Sequence, residues 1–504
     1  MKPLSRVGNI VLMWVIGVAL LGIPATWALA IFFSQQDIKG LMLLAFVAIS
    51  ALAYWQSLRW LSHYVTPVIF LLLFIVSYPA RVPVVENNVD LYTISGGYAS
   101  VGDFSFTVSD YGRFYIVSLV GLAGLLSGMA LVWQLRRGFV ERPGWNDRRW
   151  AVNLGHLIWW YIILSAGVSL ICYFLGIDLS GIDPRKLPFR MTGLLHFART
   201  FVLPATGWFL FGLAYDRREY RTVSYLVAFQ MTYGVASAYF TLSKAALMYS
   251  VLPFIAYLVL RAPWTAESRR FLFSSIFVLS VLLPITYFGA LVLREEVYTQ
   301  QQLSRGKEYK EIVADSIGSD SSFLQSITGT INSVKGRVTG GSELMAILAA
   351  RPFSFSSILL LVSGQGGDRE SGTPEMFLDV FHVQLVSGGG MYSGKAFGLF
   401  GVLFLSHSYI VLFLGSAFFA GAIMWLEGYA VKVANQGAAV GLVFWLALCV
   451  WESGFDSFVY YPPLLFGMFF LLRRINHRRP RFTGNDPMTS FPLARQRELL
   501  RPHA

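Results

Sequence analysis

Three ionisable residues lie just before or near the start of one long apolar run, 193–215. They are Arg190, His196 and Arg199. On a helix the two arginines are about 13 Å apart along the axis, and His196 and Arg199, three positions apart, share a face. Ionisable side chains inside an apolar helix are costly and are therefore candidates for a function. Alternatively, the arginines extend to a surface or pair with an interior carboxylate.

A lysine lies in the short turn between two further apolar runs, 222–242 and 245–261. It is Lys244, in Thr241-Leu242-Ser243-Lys244-Ala245-Ala246. So short a turn holds little water, so the ammonium group has to face a cavity, a partner or an anion. The alternative is an interfacial lysine that reaches lipid headgroups.

The segment 294–396 adds further cations and a histidine with neighbouring carboxylates. Lys335, Arg337 and Arg351 are the cations, and a helix from about Pro374 would carry Glu375, Asp379 and His382 on one face. A carboxylate beside a histidine fixes its tautomer and raises its basicity, as a general base requires. Solvated surface helices also carry such trios often, and that interpretation stays open.

Cations along one wall suit a pyrophosphate leaving group, because they stabilise the negative charge that develops as the bond breaks. The sequence contains no Walker loop, dinucleotide-binding glycine fingerprint, HExxH or paired CxxC motif. Nucleotide hydrolysis and zinc chemistry therefore have no support, and we expect no metal and no cofactor.

The composition indicates that these residues are positioned by helices in a lipid bilayer. Hydrophobic residues make up 55% of the 504 residues and charged residues 13%, and the mean hydropathy is +0.56. A soluble domain rarely carries so few charges, because its surface must be hydrated. The sequence therefore predicts an all-α polytopic membrane protein.

A helix needs about 20 apolar residues to cross the hydrocarbon layer. Runs of near that length lie at about 9–33, 38–57, 65–80, 113–134, 153–176, 193–215, 222–242, 245–261, 271–293, 398–428, 437–455 and 458–472. We therefore predict about 12 transmembrane helices, with eleven to fourteen allowed. The tenth run is long enough to hold a re-entrant turn followed by a span.

The net charge of +12 raises the possibility of nucleic-acid binding, but the distribution of the positive charges argues against it. Lysine and arginine accumulate on the cytoplasmic side of membrane proteins, and here they form short patches between apolar runs. The patches contain Arg136, Arg137, Arg142, Arg148 and Arg149; Arg217, Arg218 and Arg221; Arg261, Arg269 and Arg270; and Arg473, Arg474, Arg478, Arg479 and Arg481. We expect both termini to be cytoplasmic and no nucleic acid to bind.

Four parts of the chain follow from this assignment. Residues 1–293 contain helices 1–9, residues 294–396 form a large, partly helical periplasmic loop, residues 397–472 contain helices 10–12, and residues 473–504 form a basic cytoplasmic tail. Within the loop, 341–353 and 374–386 carry apolar residues at helical spacing, so we expect the loop to fold onto the bundle.

Three short motifs resemble those of the oligosaccharide repeat-unit polymerases (Wzy-type O-antigen polymerases), which are related to the O-antigen ligases. Leu242-Ser243-Lys244-Ala245-Ala246-Leu247 is similar to the family's Ser-Lys/Arg-Gly turn, with alanine in place of glycine. Asn332-Ser333-Val334-Lys335-Gly336-Arg337 resembles the arginine-bearing part of the family's outer loop. Phe397-Gly398-Leu399-Phe400-Gly401-Val402, with Gly415 and Gly421, resembles its glycine-dotted span after the loop.

The resemblance implies a glycosyltransferase that joins glycan units carried on undecaprenyl pyrophosphate, at the outer face of a bacterial inner membrane. Lys244, Arg199 and Arg337 would hold the donor pyrophosphate, with Arg190 and His196 beside them. The implied partners are the lipid-linked glycan donor and acceptor, membrane lipids, and chain-length regulator and flippase proteins.

By analogy with the ligases, His382 would be the base for the acceptor hydroxyl and Asp379 would orient it, although Val383 stands where the family has asparagine. A ligase would share the fold and the chemistry and differ in the acceptor. A transporter or flippase should show repeated halves joined by a central loop, whereas the corresponding loop here is only about 216–221.

Overall fold

The computed structural model describes residues 4–35, 37–83, 108–136, 154–177, 191–241, 246–262, 265–303, 344–345, 347–348, 352–354 and 398–452. All the regular elements in these ranges are helical, as predicted. We number the main ones α1 (Leu4–Gln35), α2 (Ile38–Trp60), α3 (Thr66–Ser77), α4 (Val108–Arg136), α5 (Leu154–Phe174), α6 (Met191–Asp216), α7 (Tyr220–Thr241), α8 (Ala246–Leu260), α9 (Ala266–Leu303), α10 (Gly398–Phe404), α11 (Tyr409–Val433) and α12 (Gln436–Glu452).

Seven of the described helices, α1, α2, α4, α5, α6, α9 and α11, are long and apolar enough to cross a membrane. Large hydrophobic side chains face outwards from them: Phe33 is 75% exposed, Phe277 70% and Trp160 67%. Such a surface is unfavourable in water and suits contact with lipid chains. The chain is therefore a multi-span membrane protein.

Most helices match the predicted apolar runs closely, and three differ for local reasons. The third run forms a short α3, followed by a 3₁₀ turn at Pro79–Arg81. The tenth run divides into α10 and α11, because His407 takes a left-handed conformation with φ 55° between them. Helix α9 continues to Leu303, since the Glu- and Gln-rich stretch after its apolar part favours helix.

The core is centred on α3, which packs against α1, α2, α4, α11 and α12. Aromatic rings fill the space at its C-terminal end, where Tyr78 stacks on Phe400 with ring centroids 4.8 Å apart and Trp451 lies 6.0 Å from Tyr78. The indole nitrogen of Trp451 donates a hydrogen bond to Ser77 Oγ at 2.6 Å. This bond joins the C-terminal ends of α3 and α12.

Helices α4 and α11 form the most extensive pairing in the described part of the chain. Glycines on α4 allow it, because a Cβ atom added at Gly124 would lie 2.4 Å from the carbonyl oxygen of Phe413. One added at Gly128 would lie only 1.9 Å from that of Ala417. Small residues commonly bring membrane helices this close.

The contacts of α12 show which helix ends lie together. Helix α12 runs antiparallel to α6, since Trp445 packs on Phe201 at 5.0 Å and Gly437 lies against Gly212. The C-terminal ends of α12 and α3 therefore lie beside the N-terminal half of α6, which carries Arg199. We call this the Arg199 end of the bundle.

The opposite end collects most of the described arginines, and we call it the basic end. Its helix ends are joined by hydrogen bonds: Asn9 Nδ2 donates to the carbonyl oxygen of Ala262 at 2.9 Å, and Tyr257 donates to Asp216 at 3.3 Å. The lysines and arginines at this end whose side chains the structure describes are Arg59, Arg136, Arg217, Arg218, Arg221, Arg261, Arg269, Arg270 and Lys432. This asymmetry accords with a sidedness set by positive charge.

Candidate functional site

Arg199 lies in a π-helical turn, Ala198–Val202, inside α6, and its side chain is buried. The amide of Leu203 donates to the carbonyl oxygen of Ala198, which is the wider bonding pattern of a π-turn. Pro204 follows and has no N–H to continue the α-helical ladder. Turns of this kind occur often at functional sites, and this one places a guanidinium group in the bundle interior.

The turn after α5 and helix α7 hold the guanidinium group of Arg199. One nitrogen donates to the carbonyl oxygen of Ile177 at 3.4 Å, and the other donates to Ser237 Oγ on α7 at 3.2 Å. Gly176, with φ 70°, turns the chain after α5 and so presents that carbonyl. Both acceptors are neutral oxygens, and the two bonds orient the guanidinium group in the bundle interior.

The bond from Arg199 to Ser237 lies at one end of a row of polar contacts between α5 and α7, the α5–α7 polar seam. Further along, Gln230 donates to Tyr161 and Ser169 donates to Tyr233 at 3.2 Å. The seam residues recur at helical spacing, on one face of each helix. They are Tyr161, Ser165 and Ser169 on α5 and Gln230, Tyr233 and Ser237 on α7.

Glycine on α6 lets that helix close over the seam. A Cβ atom at Gly207 would lie 2.7 Å from the hydroxyl oxygen of Tyr161 and 3.0 Å from Gln230 Nε2. Three helices therefore enclose a polar strip in an otherwise apolar bundle. Hydrogen bonds between membrane helices fix their relative positions, so the seam determines where Ser237 lies relative to Arg199.

Of the residues selected from the sequence, the structure describes His196 and Arg199. His196 is half-buried on the turn before Arg199, and its backbone carbonyl accepts a bond from Thr200 at 2.8 Å. The buried Arg199 and the half-buried His196 thus have different surroundings. The residues Lys244, Arg337, Arg190, His382 and Asp379 lie outside the described residues.

A second buried arginine at the Arg199 end was missed by the sequence reasoning. Arg81 closes the 3₁₀ turn after α3 and is 4% exposed, packed among α1, α2 and α3. The signal in the sequence was an arginine directly after Pro79-Ala80 at the end of an unusually short apolar run. The described part of the Arg199 end therefore contains two buried guanidinium groups, those of Arg81 and Arg199.

Part of the segment 294–396 packs on the turn between α10 and α11. Leu344, Met345, Ile347 and Leu348 are buried, and the amide of Phe353 donates to the carbonyl oxygen of Leu405 at 2.9 Å. His407 Nε2 donates to the carbonyl oxygen of Ile347 at 3.0 Å. Because α11 reaches the basic end at its C-terminus, this turn lies at the Arg199 end.

His407 is a second residue that the sequence reasoning missed. Its ring stacks on Phe404 with centroids 5.3 Å apart, and burial lowers its pKa, so the neutral ring is favoured there. A histidine between two apolar stretches gave no signal that it contacts a segment 60 residues away.

No group of three or more metal-ligating side chains comes together in the described ranges. The geometry there offers buried guanidinium groups and hydroxyl groups, which suit the binding of an oxyanion or a polyhydroxylated ligand. Comparison of the chain with protein-family models, with curated proteins and with solved structures found no match.

Proposed function

We propose that the protein is a membrane glycosyltransferase that polymerises undecaprenyl-pyrophosphate-linked oligosaccharide repeat units into a surface polysaccharide. The observation that carries the proposal is the buried guanidinium of Arg199, oriented by Ser237 and Ile177 at the end of the bundle opposite the basic residues. A fixed cation there would stabilise the charge that develops on a pyrophosphate leaving group. The resemblance of the short sequence motifs supports the same activity.

The proposed topology has twelve spans, with the basic end in the cytoplasm of a bacterium and the Arg199 end at the periplasmic face of the inner membrane. The seven long apolar helices, the shorter α3, α8 and α12, and α7 with 22 residues supply eleven. The run 458–472 would be the twelfth. Helix α9 leaves the basic end and α11 returns to it, so the segment 294–396 would be periplasmic.

In this proposal Arg199, Lys244 and Arg337 bind the donor pyrophosphate, with Arg190 and His196 beside them. Lys244 follows the end of α7 at Thr241 by three positions, so the seam that holds Ser237 also fixes the helix end that precedes Lys244. No metal or cofactor takes part.

The acceptor side of the proposed site is in the segment 294–396. His382 removes the proton from the acceptor hydroxyl as the new glycosidic bond forms, and Asp379 orients its ring. The partners are the lipid-linked donor and acceptor, membrane lipids, and chain-length regulator and flippase proteins.

The decisive experiment is loss of the gene in its native bacterium, followed by analysis of surface glycan length. Short chains with a single repeat are the expected result. Complete absence of surface chains would instead indicate a ligase, and unchanged chains would reject both activities.

Variants then test the site. Arg199→Ala and Lys244→Ala should fail to restore long chains at near-normal protein levels, while Arg199→Lys and Lys244→Arg should restore part of the length. Arg113→Ala is the matched control, since Arg113 is an exposed arginine at the same end of the bundle, and it should restore normal chains. Surface glycan of normal length with Arg199→Ala would show that Arg199 is not part of the donor site.

A further inference from the structure

Two arginine-rich turns lie together at the basic end. The turn between α6 and α7 carries Arg217, Arg218 and Arg221, and the start of α9 carries Arg269 and Arg270. The hydroxyl groups of Tyr215 and Ser268 are hydrogen-bonded, with Ser268 almost fully buried. This bond fixes the two turns side by side, so their arginines form one surface patch.

Three carboxylates lie in the same two turns: Asp216, Glu219 and the exposed Glu267. Asp216 accepts a hydrogen bond from Tyr257 at 3.3 Å. Glu219 lies 3.9 Å from Arg217 and also accepts a bond from Thr222 at 3.4 Å. Within the described ranges, the exposed residues Arg218, Arg221, Arg269 and Arg270 form no ion pair. The two turns thus carry five arginines against three carboxylates, so the patch has an excess of positive charge and its four exposed guanidinium groups face the surroundings.

Arg218 occupies a position where glycine would be favoured. It has φ 60° and ends α6 in a Schellman motif: its amide donates to the carbonyl oxygen of Tyr215 at 2.9 Å, and that of Glu219 donates to Ala214 at 3.0 Å. Glycine is the usual residue at this position, because other side chains are strained there. An arginine that keeps this conformation is consistent with a use for its charge.

Apolar surface continues from the arginines along the same two helices. Arg221 donates to the hydroxyl of Tyr225 at 3.1 Å, one turn further along α7, and Tyr225 is 57% exposed. One turn beyond Arg269 on α9, Phe273 is 61% exposed. A cationic patch at the ends of membrane helices, with exposed rings one turn further along, fits a headgroup and its acyl chains better than a nucleic acid.

We infer that the paired α6–α7 and α9 turns bind the headgroups of anionic phospholipids, through Arg218, Arg221, Arg269 and Arg270. The guanidinium groups would donate hydrogen bonds to the phosphate oxygens, and the exposed rings would contact the upper part of the acyl chains. The inference does not depend on the proposed enzymatic activity.

The test measures thermal unfolding of the purified full chain in detergent, with phosphatidylglycerol or phosphatidylcholine added at increasing mole fraction. Phosphatidylglycerol should raise the melting temperature of the wild type at a much lower mole fraction than phosphatidylcholine needs for the same rise. Replacing all four arginines with glutamine should remove most of this difference, since each cation near an anionic surface contributes about a fivefold gain in binding. Equal responses to the two lipids would overturn the inference.

A single substitution keeps the test valid if the fourfold variant is unstable. Arg218→Gly relieves the left-handed strain, so it should melt at the wild-type temperature or above in detergent alone, yet bind phosphatidylglycerol about fivefold more weakly. Arg59→Gln is the matched control, because Arg59 is an exposed arginine of the basic end that packs over Trp55 at 4.7 Å, away from both turns. The assignment would be contradicted if Arg218→Gly kept the full response to phosphatidylglycerol, or if Arg59→Gln lost as much of that response as Arg218→Gly.

Discussion

The guanidinium of Arg261 lies 3.2 Å from the carboxylate of Glu427, although 166 positions separate the two residues in the chain. Glu427 is 1% exposed and also accepts hydrogen bonds from the amides of Val65 at 2.7 Å and Thr66 at 3.0 Å. Arg261 donates to two carbonyl oxygens of the α2–α3 turn. One carboxylate therefore caps the N-terminus of α3 and links it to α8 and α11.

Glu427→Ala is predicted to destabilise the bundle strongly. It removes the cap of α3 and leaves buried donors unsatisfied, and breaking a buried ion pair costs about 3–5 kcal/mol. Arg261→Ala should cost less, because Glu427 keeps its bonds to Val65 and Thr66. Melting temperatures of the two variants in detergent check this order. A larger loss in Arg261→Ala would show that an unpaired Glu427 carboxylate costs more than the loss of the α3 cap.

Gly128→Ala is predicted to weaken the pairing of α4 with α11. The added methyl group would lie 1.9 Å from the backbone oxygen of Ala417, and a backbone cannot move aside as a flexible side chain can, so we expect a cost of about 1–3 kcal/mol. Gly167→Ala on α5 is the control, since nothing lies within 4 Å of its added Cβ. Equal melting temperatures for the two variants would contradict the prediction.

The positions of the helices could be predicted from the sequence, whereas the faces on which they pack could not. Runs such as 153–176 and 193–215 match α5 and α6 within a few residues, because the bilayer thickness sets the length of an apolar helix. Lipid chains and a protein core are equally apolar, however. Hydrophobic periodicity therefore did not reveal that Gly128 meets Ala417.

The candidate site was predictable only in part, for a related reason. Arg199 could be selected because a buried cation in an apolar run is costly. Its partners could not be selected from the sequence, because Ile177 and Ser237 are ordinary residues. The turn after α5 and the helical spacing on α7 bring them to Arg199 as acceptors. The pairing of Arg261 with Glu427 was equally invisible, because no local pattern connects residues so far apart in the chain.

The packing of the 344–354 region on the α10–α11 turn is predicted to weaken at acidic pH. Burial lowers the pKa of His407 and the nearby Arg113 lowers it further, while the bond to Ile347 acts in the opposite direction. The unpacked histidine has an ordinary pKa of about 6.5, so below that pH the proton binds preferentially to the unpacked state. The contribution of His407 to the packing is therefore fully present above about pH 6.5 and is lost as the pH falls below that value, towards the lowered pKa of the packed histidine.

Labelling of a cysteine at the buried Met345 measures this effect. Comparison of the labelling rate with that in a His407→Gln background at each pH cancels the intrinsic pH dependence of the thiol. The ratio of the labelling rate with His407 to the rate with His407→Gln should rise as the pH falls from 7.5 to 5.5. Glutamine keeps a hydrogen-bond donor but does not titrate. A ratio that stays constant over this range would show that His407 does not control the packing.

The basic end is predicted to face the cytoplasm. Positive residues accumulate on that side, and Arg218 and Arg270 mark it in the described part of the chain. Cysteines at Arg218 and Asn485 should be protected from an impermeant thiol reagent in intact cells, and a cysteine at Ser319 should be labelled. The reverse pattern would invert the topology and place Arg199 on the cytoplasmic side.

Ser237→Ala is predicted to weaken the use of the lipid-linked donor without unfolding the protein. Ser237 accepts a hydrogen bond from Arg199 at 3.2 Å, and bonds to charged groups contribute about 1.5–3 kcal/mol. If the whole loss falls on donor binding, the KM for the donor rises about ten- to a hundredfold, since about 1.4 kcal/mol corresponds to a factor of ten. The kcat should change much less, because Ser237 orients Arg199 and does not contact the reacting atoms.

Initial rates in proteoliposomes at a series of donor concentrations separate these two constants. Thr232→Ala is the matched control: Thr232 lies on the same helix, but it is exposed and its hydroxyl bonds only to the carbonyl oxygen of Ala228 in its own helix, at 3.0 Å. Ser237→Thr keeps the hydroxyl group and should recover most of the donor affinity. A merely structural role for Ser237 would lower the melting temperature and leave the KM of the surviving enzyme unchanged. An unchanged KM in Ser237→Ala would thus show that the α5–α7 polar seam does not position the donor site.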